Sequence, residues 1–304
     1  MKIIKFTLTV LILFTLVFTT SAQFPIEITE KTVTMSKGEQ PAFIVKIPQA
    51  NAEDVIKPWK KLIRQNTKSK VSENNDEIVI LNTRINRISD SLINIYSAVY
   101  GVDSAVKLVA LFEIDSSFFS FDGNKRNVDN EKTYQGIKHF LYDFAVEEYK
   151  KAVEQELEQE NKELKNLNSE LDKLLKQTES FNKKVKHNEN DSINAETQIN
   201  SLEADKNRKQ GEIDNKKESM ASIGGDKELL DQAKKSLKSL EKQRKKIEKE
   251  IEKLKDNIVE YRMDNIELKR KIEENNKQKE ELLNKINEQK ETIKKITEKY
   301  NNIK

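Results

Sequence analysis

The chain has 304 residues, 35% of them charged and nearly balanced in sign, with 7% aromatic residues and a formal charge of +3. That mixture is too polar for one large globule, is long enough for two structural units, and lends no support to a nucleic-acid partner. The absence of cysteine removes disulfides, thiolate metal sites, thiol catalysis and a cysteine-linked lipid.

Residues 1–22 read as a signal peptide. Lys2 and Lys5 precede an apolar run from Phe6 to Phe18, and Thr20, Ser21 and Ala22 form a small-residue cleavage site. The run, about 13 residues, is short for a bilayer span, which needs roughly 20; an uncleaved N-terminal anchor is the alternative. Loss of the two lysines takes the charge from +3 to +1. No other segment is apolar enough to span a membrane, so the mature chain is expected to be exported, without stable membrane insertion. The end Thr-Ser-Ala before Gln23 resembles signal peptides of Bacteroidota, which implies the periplasm or cell surface of a Gram-negative envelope.

Residues 23–149 form the first unit, because all four prolines lie before residue 59 and the turn-forming residues cluster before residue 136. Ala42 to Ile47 is a strand closed by Pro48. Asn51 then caps a helix with acids in its first turn, and Val55, Ile56, Trp59, Leu62 and Ile63 share one face. Pro58 is expected to kink or split that helix. Four strand-like stretches follow: one at Val71, one from Glu77 through Leu81 running towards Ile88, one from Leu92 to Tyr100, and one from Ala105 to Ile114. Their short turns imply an antiparallel meander with one covered face. The cover is a helix from Tyr134 to Tyr149 that turns Tyr134, Ile137, Phe140, Leu141 and Phe144 inward. Strand, helix, four strands and a final helix is the order of the TATA-binding-protein-like, or helix-grip, topology. The piece Phe43-Ile-Val-Lys-Ile-Pro48, followed eleven residues later by Trp59, resembles an exported Bacteroidota domain family of unknown function with that α+β fold. The resemblance implies a fold and a compartment, and no active site.

Residues 150–304 hold no proline and follow a heptad period. From Val153 to Ile223, 14 of the 21 core positions are apolar, among them Leu157, Leu171, Phe181, Val185, Ile199, Leu202 and Ile213. From Leu230 to Ile303 the count is 17 of 22, including Leu240, Ile251, Ile258, Leu268, Ile272, Leu282 and Ile296. Such a run predicts a coiled coil. The two frames do not join: Ile223 and Leu230 are seven residues apart where four would continue the seam, and Gly224 and Gly225 lie in that break. The arms, residues 150–223 and 226–304, are nearly equal in length. A hairpin turning at Gly224 and Gly225 pairs residues whose numbers sum to 453, so that Ile223 faces Leu230. That register sets Asn188 against Asn265 and Thr178 against Asn275, which satisfies both amides. Three layers fit badly: Glu160 with Ile293, Leu164 with Gln289, and Lys209 with Arg244. Asp226 is placed to cap the second arm. The alternative is a straight parallel dimer, without the return of Tyr300 and Ile303 to Val153 that the hairpin requires.

His139 and His187 stand alone, with no second ligand at metal spacing. The coil carboxylates read as solvated faces with i,i+4 partners. A glycine-rich phosphate loop and a nucleophile elbow are absent, so an ATPase head is excluded. Ser116 to Gly123 carries Phe118, Phe119 and Phe121 in a polar connection. Together with Trp59 these form the candidate partner patch, and the competing reading has the phenylalanines covering the open edge of the core. Lys57, Lys60, Lys61 and Arg64 give the first helix a basic outer face.

The sequence therefore reads as a non-enzymatic scaffold or interaction protein of the cell envelope. Its head binds an unidentified envelope protein, and its hairpin acts as spacer or oligomerisation surface, with a homodimer through the coil as one outcome. No cofactor, metal or nucleic acid is implied. The alternative is a periplasmic carrier holding a small apolar ligand between sheet and helix, in a cavity lined by Val99, Leu108, Ala110, Phe140 and Phe144.

Overall fold

A computed structural model describes residues 26–65, 67–74, 76–120 and 128–304. The signal-peptide residues, Gln23 and Phe121 lie outside the described residues. The chain divides into two compact units, residues 1–163 with 289–304, and residues 164–288.

The first unit is an α+β head. Its antiparallel sheet runs in the order β1 (Ile28–Met35), β2 (Gly38–Pro48), β6 (Ala105–Ile114), β5 (Ile93–Val102), β4 (Glu77–Thr83), β3 (Val71–Asn74), with the two-residue β7 (Ser117–Phe118) beside β6. Helix α1 (Ala52–Ile63) and the first turns of α2 (Val128–Ala221) cover one face. The four antiparallel strands of the meander are present, and the two-residue turn at Asp103 and Ser104 is made possible by the left-handed backbone of Asp103, φ 51°. Strand β1, which the sequence reading passed over, adds a polar edge to the sheet.

Three expectations are corrected. Pro58 does not split α1, which runs unbroken from Ala52 to Ile63. The proline removes only one donor, and Val55, Trp59 and Ile63 hold the helix against the core. Strand β4 does not continue to Ile88: the pairing with β5 shifts register between Ile80 and Thr83, and Asn82 adopts φ 54°. Beyond that bulge Ile85 and Ile88 turn inward, closed by a bond from the Ile88 amide to the Ile85 carbonyl at 2.8 Å. The sheet also has two covered faces rather than one. Strand β2 pairs with β6 only from Phe43 onward, and the turn of the β1–β2 hairpin reaches across the back. There the Ser36 amide and hydroxyl donate to Glu77 on β4 at 3.1 and 2.9 Å, and the Lys37 ammonium stands 5.3 Å from the Tyr96 ring centre on β5. Beneath them lie Ala42, Ile44, Tyr96, Val109 and Leu111, all buried.

The front core is organised around Trp59. Its ring lies 5.8 Å from that of Phe140 and 5.1 Å from that of Phe144, and its indole N–H donates to the Ser97 hydroxyl at 2.8 Å. The C-terminal end of the chain closes this same core. Ile296 and Ile303 join Val153 in it, Tyr300 packs alongside, and the Tyr142 hydroxyl donates to the Lys304 carbonyl at 2.8 Å.

The second unit is an antiparallel helical hairpin formed by the stretches of α2 and α3 (Lys227–Asn302) that lie within residues 164–288. Helix α2 is continuous from Val128 to Ala221. Every core position of both heptad frames is buried or half-buried.

Candidate functional site

The hairpin register is fixed by polar layers at the positions the sequence singles out. Asn188 donates its amide to the Asn265 side-chain oxygen at 3.1 Å and to Asp264 at 2.7 Å, and Asn275 donates to the Thr178 hydroxyl at 3.2 Å. Buried amides that find partners only in one alignment penalise every slipped one. Gly225 turns the chain at φ +77°, while Gly224 beside it needs no left-handed backbone. Asp226 caps α3 by accepting the amides of Glu228 and Leu229 at 3.0 and 3.2 Å.

In the three ill-fitting layers the polar side chains lean off the seam to partners, although the Arg244 Nε stays buried without one. Gln289 donates to the Glu160 carbonyl at 2.9 Å, Lys209 pairs with Glu212 at 2.7 Å, and Arg244 donates to Gln210 at 2.7 Å. Beside the Thr178–Asn275 layer the short threonine leaves a shallow groove of about 430 Å³, edged by Leu174, Leu175, Lys183 and Lys279.

The candidate aromatic patch does not assemble. Trp59 is fully buried in the front core. Phe118 packs on Tyr96 at the back of the sheet, ring centres 5.8 Å apart, whereas Phe119 stacks on Phe43 at the front, 6.3 Å apart. The reason is the extended backbone beside β6: β7 pairs Phe118 with Glu113, and the Phe119 amide continues the ladder by donating to the Phe112 carbonyl at 2.7 Å, so neighbouring side chains point to opposite faces. Both rings cover core edges, as the competing reading has it.

Two features that sequence reasoning missed shape the head surface. The first is a cleft of about 450 Å³ lined by Leu62, Arg84, Asn86, Arg87, Asp143 and Glu147. Arg87 anchors it, donating to Asp143 at 2.9 Å and to the Phe140 carbonyl at 3.2 Å, with its guanidinium 4.6 Å from the Phe140 ring centre. Helix α2 reaches this loop because Gly136 lacks a side chain: a Cβ there would meet the Arg87 carbonyl oxygen at 2.3 Å. A glycine inside an amphipathic helix, four residues before Phe140, was the available signal.

The second is the polar rim of the back face. Glu113 accepts from the Asn94 amide at 2.9 Å and the Tyr96 hydroxyl at 3.1 Å. Burial, reinforced by the bond to Glu113, pushes the Tyr96 hydroxyl up to about 12. Alternating polar residues at Asn94, Tyr96 and Glu113 on neighbouring strands carried this signal. On α2, Glu148 is buried, and that burial raises its carboxyl pKa against the pull of Lys151, 2.8 Å away.

On the basic face of α1, Lys60 is paired with Glu73, while Lys57, Lys61 and Arg64 are exposed. His139 is exposed on α2, and His187 lies 3.3 Å from Asp191 one turn on. Among the described residues, no group of three or more metal-ligating side chains converges.

No protein-family model matches the chain, and no curated protein matches it. Among solved structures it is similar to the crystal structure of the Smc head domain with a coiled coil and joint derived from Pyrococcus yayanosii, at 17% identity and a TM-score of 0.18. The match covers 74% of this chain and 55% of that one, so the chain spans about half the length of that neighbour. A superposition at this score carries no argument about function. The fold assignment rests on the sheet and hairpin described above.

Proposed function

We propose that the chain is a non-enzymatic scaffold or interaction protein of the cell envelope, exported by its N-terminal segment. The head engages an envelope protein, and the hairpin serves as spacer or oligomerisation surface. The observation that carries this reading is the closed seam: two long arms pair within one chain, in a register specified by Asn188 with Asn265 and Thr178 with Asn275. A seam satisfied internally leaves the outer helix faces and the head surface for partners. No helix among the described residues is long and apolar enough to cross a membrane.

The carrier alternative receives no support from the packing. Leu108 and Ala110 are fully buried, and Trp59, Phe140 and Phe144 fill the space between sheet and helix with direct ring contacts.

The test is in-cell crosslinking of the full-length chain, followed by its isolation from envelope fractions and mass spectrometry of the captured protein. A mature N-terminus at Gln23 and one reproducible envelope partner captured through head residues are the expected result. A chain recovered uncleaved in the cytoplasm, or recovered from the envelope without a crosslinked partner, overturns it.

A further inference from the structure

Among the described residues, the four most exposed large apolar side chains are Ile193, Val259, Met263 and Ile266, at 60%, 59%, 63% and 64%. They lie at one level of the hairpin, since Ile193 stands opposite residue 260 in the register that pairs Asn188 with Asn265. They also lie on one side. Three ion pairs between the arms, Glu189–Lys269 at 3.5 Å, Glu196–Arg262 at 3.1 Å and Glu203–Lys255 at 3.6 Å, form a ladder beside the seam. Ile193 sits between Glu189 and Glu196. Val259 and Ile266 each sit three or four residues from the basic partners on α3, so they flank the same ladder. Met263, four residues after Val259 and three before Ile266, extends the row onto the outer face of α3. Single exposed apolar residues are ordinary, but an i, i+4, i+7 stripe is a helix-packing surface.

The charges at the ends of the stripe identify its occupant. Asp256 closes one end and Arg270 the other, both exposed; Arg270 keeps a 60% exposed side chain while touching Glu267 and Glu274. We propose that two copies of the chain cross through this stripe, two-fold and antiparallel, with Met263 on the axis. This arrangement deepens the oligomerisation part of the reading above and rests on it. It sets Met263 against its own copy, Val259 against Ile266, and Asp256 against Arg270, each unlike pair occurring twice. A parallel pairing instead sets Asp256 on Asp256 and Arg270 on Arg270. One turn farther out the antiparallel arrangement meets like charges, Glu252 with Glu273 and Lys249 with Lys277. The helices therefore cross at an angle and touch over the central turns only. Such a contact is smaller than the roughly 800 Å² per partner of a standard interface. The dimer accordingly belongs at the weak, transient end of protein associations.

The chain has no cysteine, so single-cysteine variants of the full-length protein report the geometry without background. Met263→Cys should form a disulfide-linked dimer by itself. Asp256→Cys and Arg270→Cys should link several-fold faster when mixed than either alone. In sedimentation, Met263→Asp should raise the dissociation constant at least about tenfold with unchanged helical content. Asp256→Arg should weaken the dimer, and the double variant with Arg270→Asp should restore it.

Self-linking of Asp256→Cys faster than the mixture, or a dimer constant that Met263→Asp leaves unmoved, overturns the proposal. In the second case the hairpin associates through another surface, and the oligomerisation reading stands. A chain that stays monomeric throughout removes both. A monomer that loses its envelope partner on Met263→Asp assigns the stripe to a different protein, which also overturns the second-copy proposal.

Discussion

The head and the hairpin use similar side chains to opposite ends. In the head, Trp59, Ile63, Ile95, Leu108 and Phe112 are sealed from solvent on all sides by a sheet and its covering helices. In the hairpin, Leu171, Leu174 and Phe181 occupy core positions yet remain half-buried, because a two-helix seam covers each residue from one neighbouring helix only. Head stability is thus concentrated in a few large contacts between residues distant in sequence. Hairpin stability is spread over many small layers, with the polar ones setting the alignment.

The largest expected effect tests that concentration. Trp59→Ala removes the centre of the front core and should cost the head about 3–5 kcal/mol. Denaturant unfolding followed by circular dichroism should show an early transition moving to lower denaturant while the hairpin transition stays in place. A common shift of both would mean that the two units are not energetically distinct.

The same substitution in each unit should then give opposite signs. Gly136→Ala places a Cβ 2.3 Å from the Arg87 carbonyl oxygen and 2.9 Å from the Ile88 Cα, both backbone atoms. It should destabilise the head by about 1–3 kcal/mol. Gly211→Ala, in the hairpin stretch of the same helix with nothing within 4 Å, should stabilise by about 0.5–1 kcal/mol. Thermal melts of the two variants decide it, and equal signs would break the contrast.

Register is the next test. Asn188→Leu leaves Asn265 facing a hydrocarbon and should cost about 1–3 kcal/mol. Replacing both asparagines by leucine should recover that loss while broadening the distribution of spin-label distances between the arms. A distribution as narrow as wild type would show that the apolar layers alone hold the alignment.

The smallest effect is confined to alkaline pH. The Tyr96 hydroxyl is raised from 10.0 to about 12 in the folded chain, so the folded state holds its proton more tightly than the unfolded state. The stability it contributes is complete below pH 10 and is lost as pH climbs from 10 towards 12. Tyr96→Phe should flatten that decline in pH-dependent melts.

What could be read from the chain alone was whatever repeats over a short distance. The heptads, the phase break at Gly224 and Gly225, the cap at Asp226 and the apolar face of α1 all follow from periods of a few residues. The sheet strands from Val71 to Ile114 were legible for the same reason, with β6 matched at both ends. Strand β1 was not, because Thr29, Glu30, Lys31 and Thr32 sit on an open edge and show no apolar alternation to detect.

At the candidate patch, proximity in sequence does not amount to proximity on the surface. Phe118 and Phe119 are neighbours in the chain, yet the extended backbone along β6 sends them to opposite faces. The Arg87 cleft joins Arg87 to Asp143 and the hairpin turn across the back of the sheet joins Ser36 to Glu77; Gly136 hints at the first, and no local pattern announces the second.

The sequence by itself determined that this protein has an α+β head and a long heptad coil broken in phase at its paired glycines, and it favoured the antiparallel pairing over a parallel dimer, because hydrophobic period and polar-layer matching are local and linear properties. Only the tertiary structure decided that the sheet is covered on both faces, that Trp59 is interior, and that Ile193, Val259, Met263 and Ile266 share one exposed level. Those outcomes depend on which distant segments meet, and that is set by strand pairing, close backbone approach and hairpin register acting together.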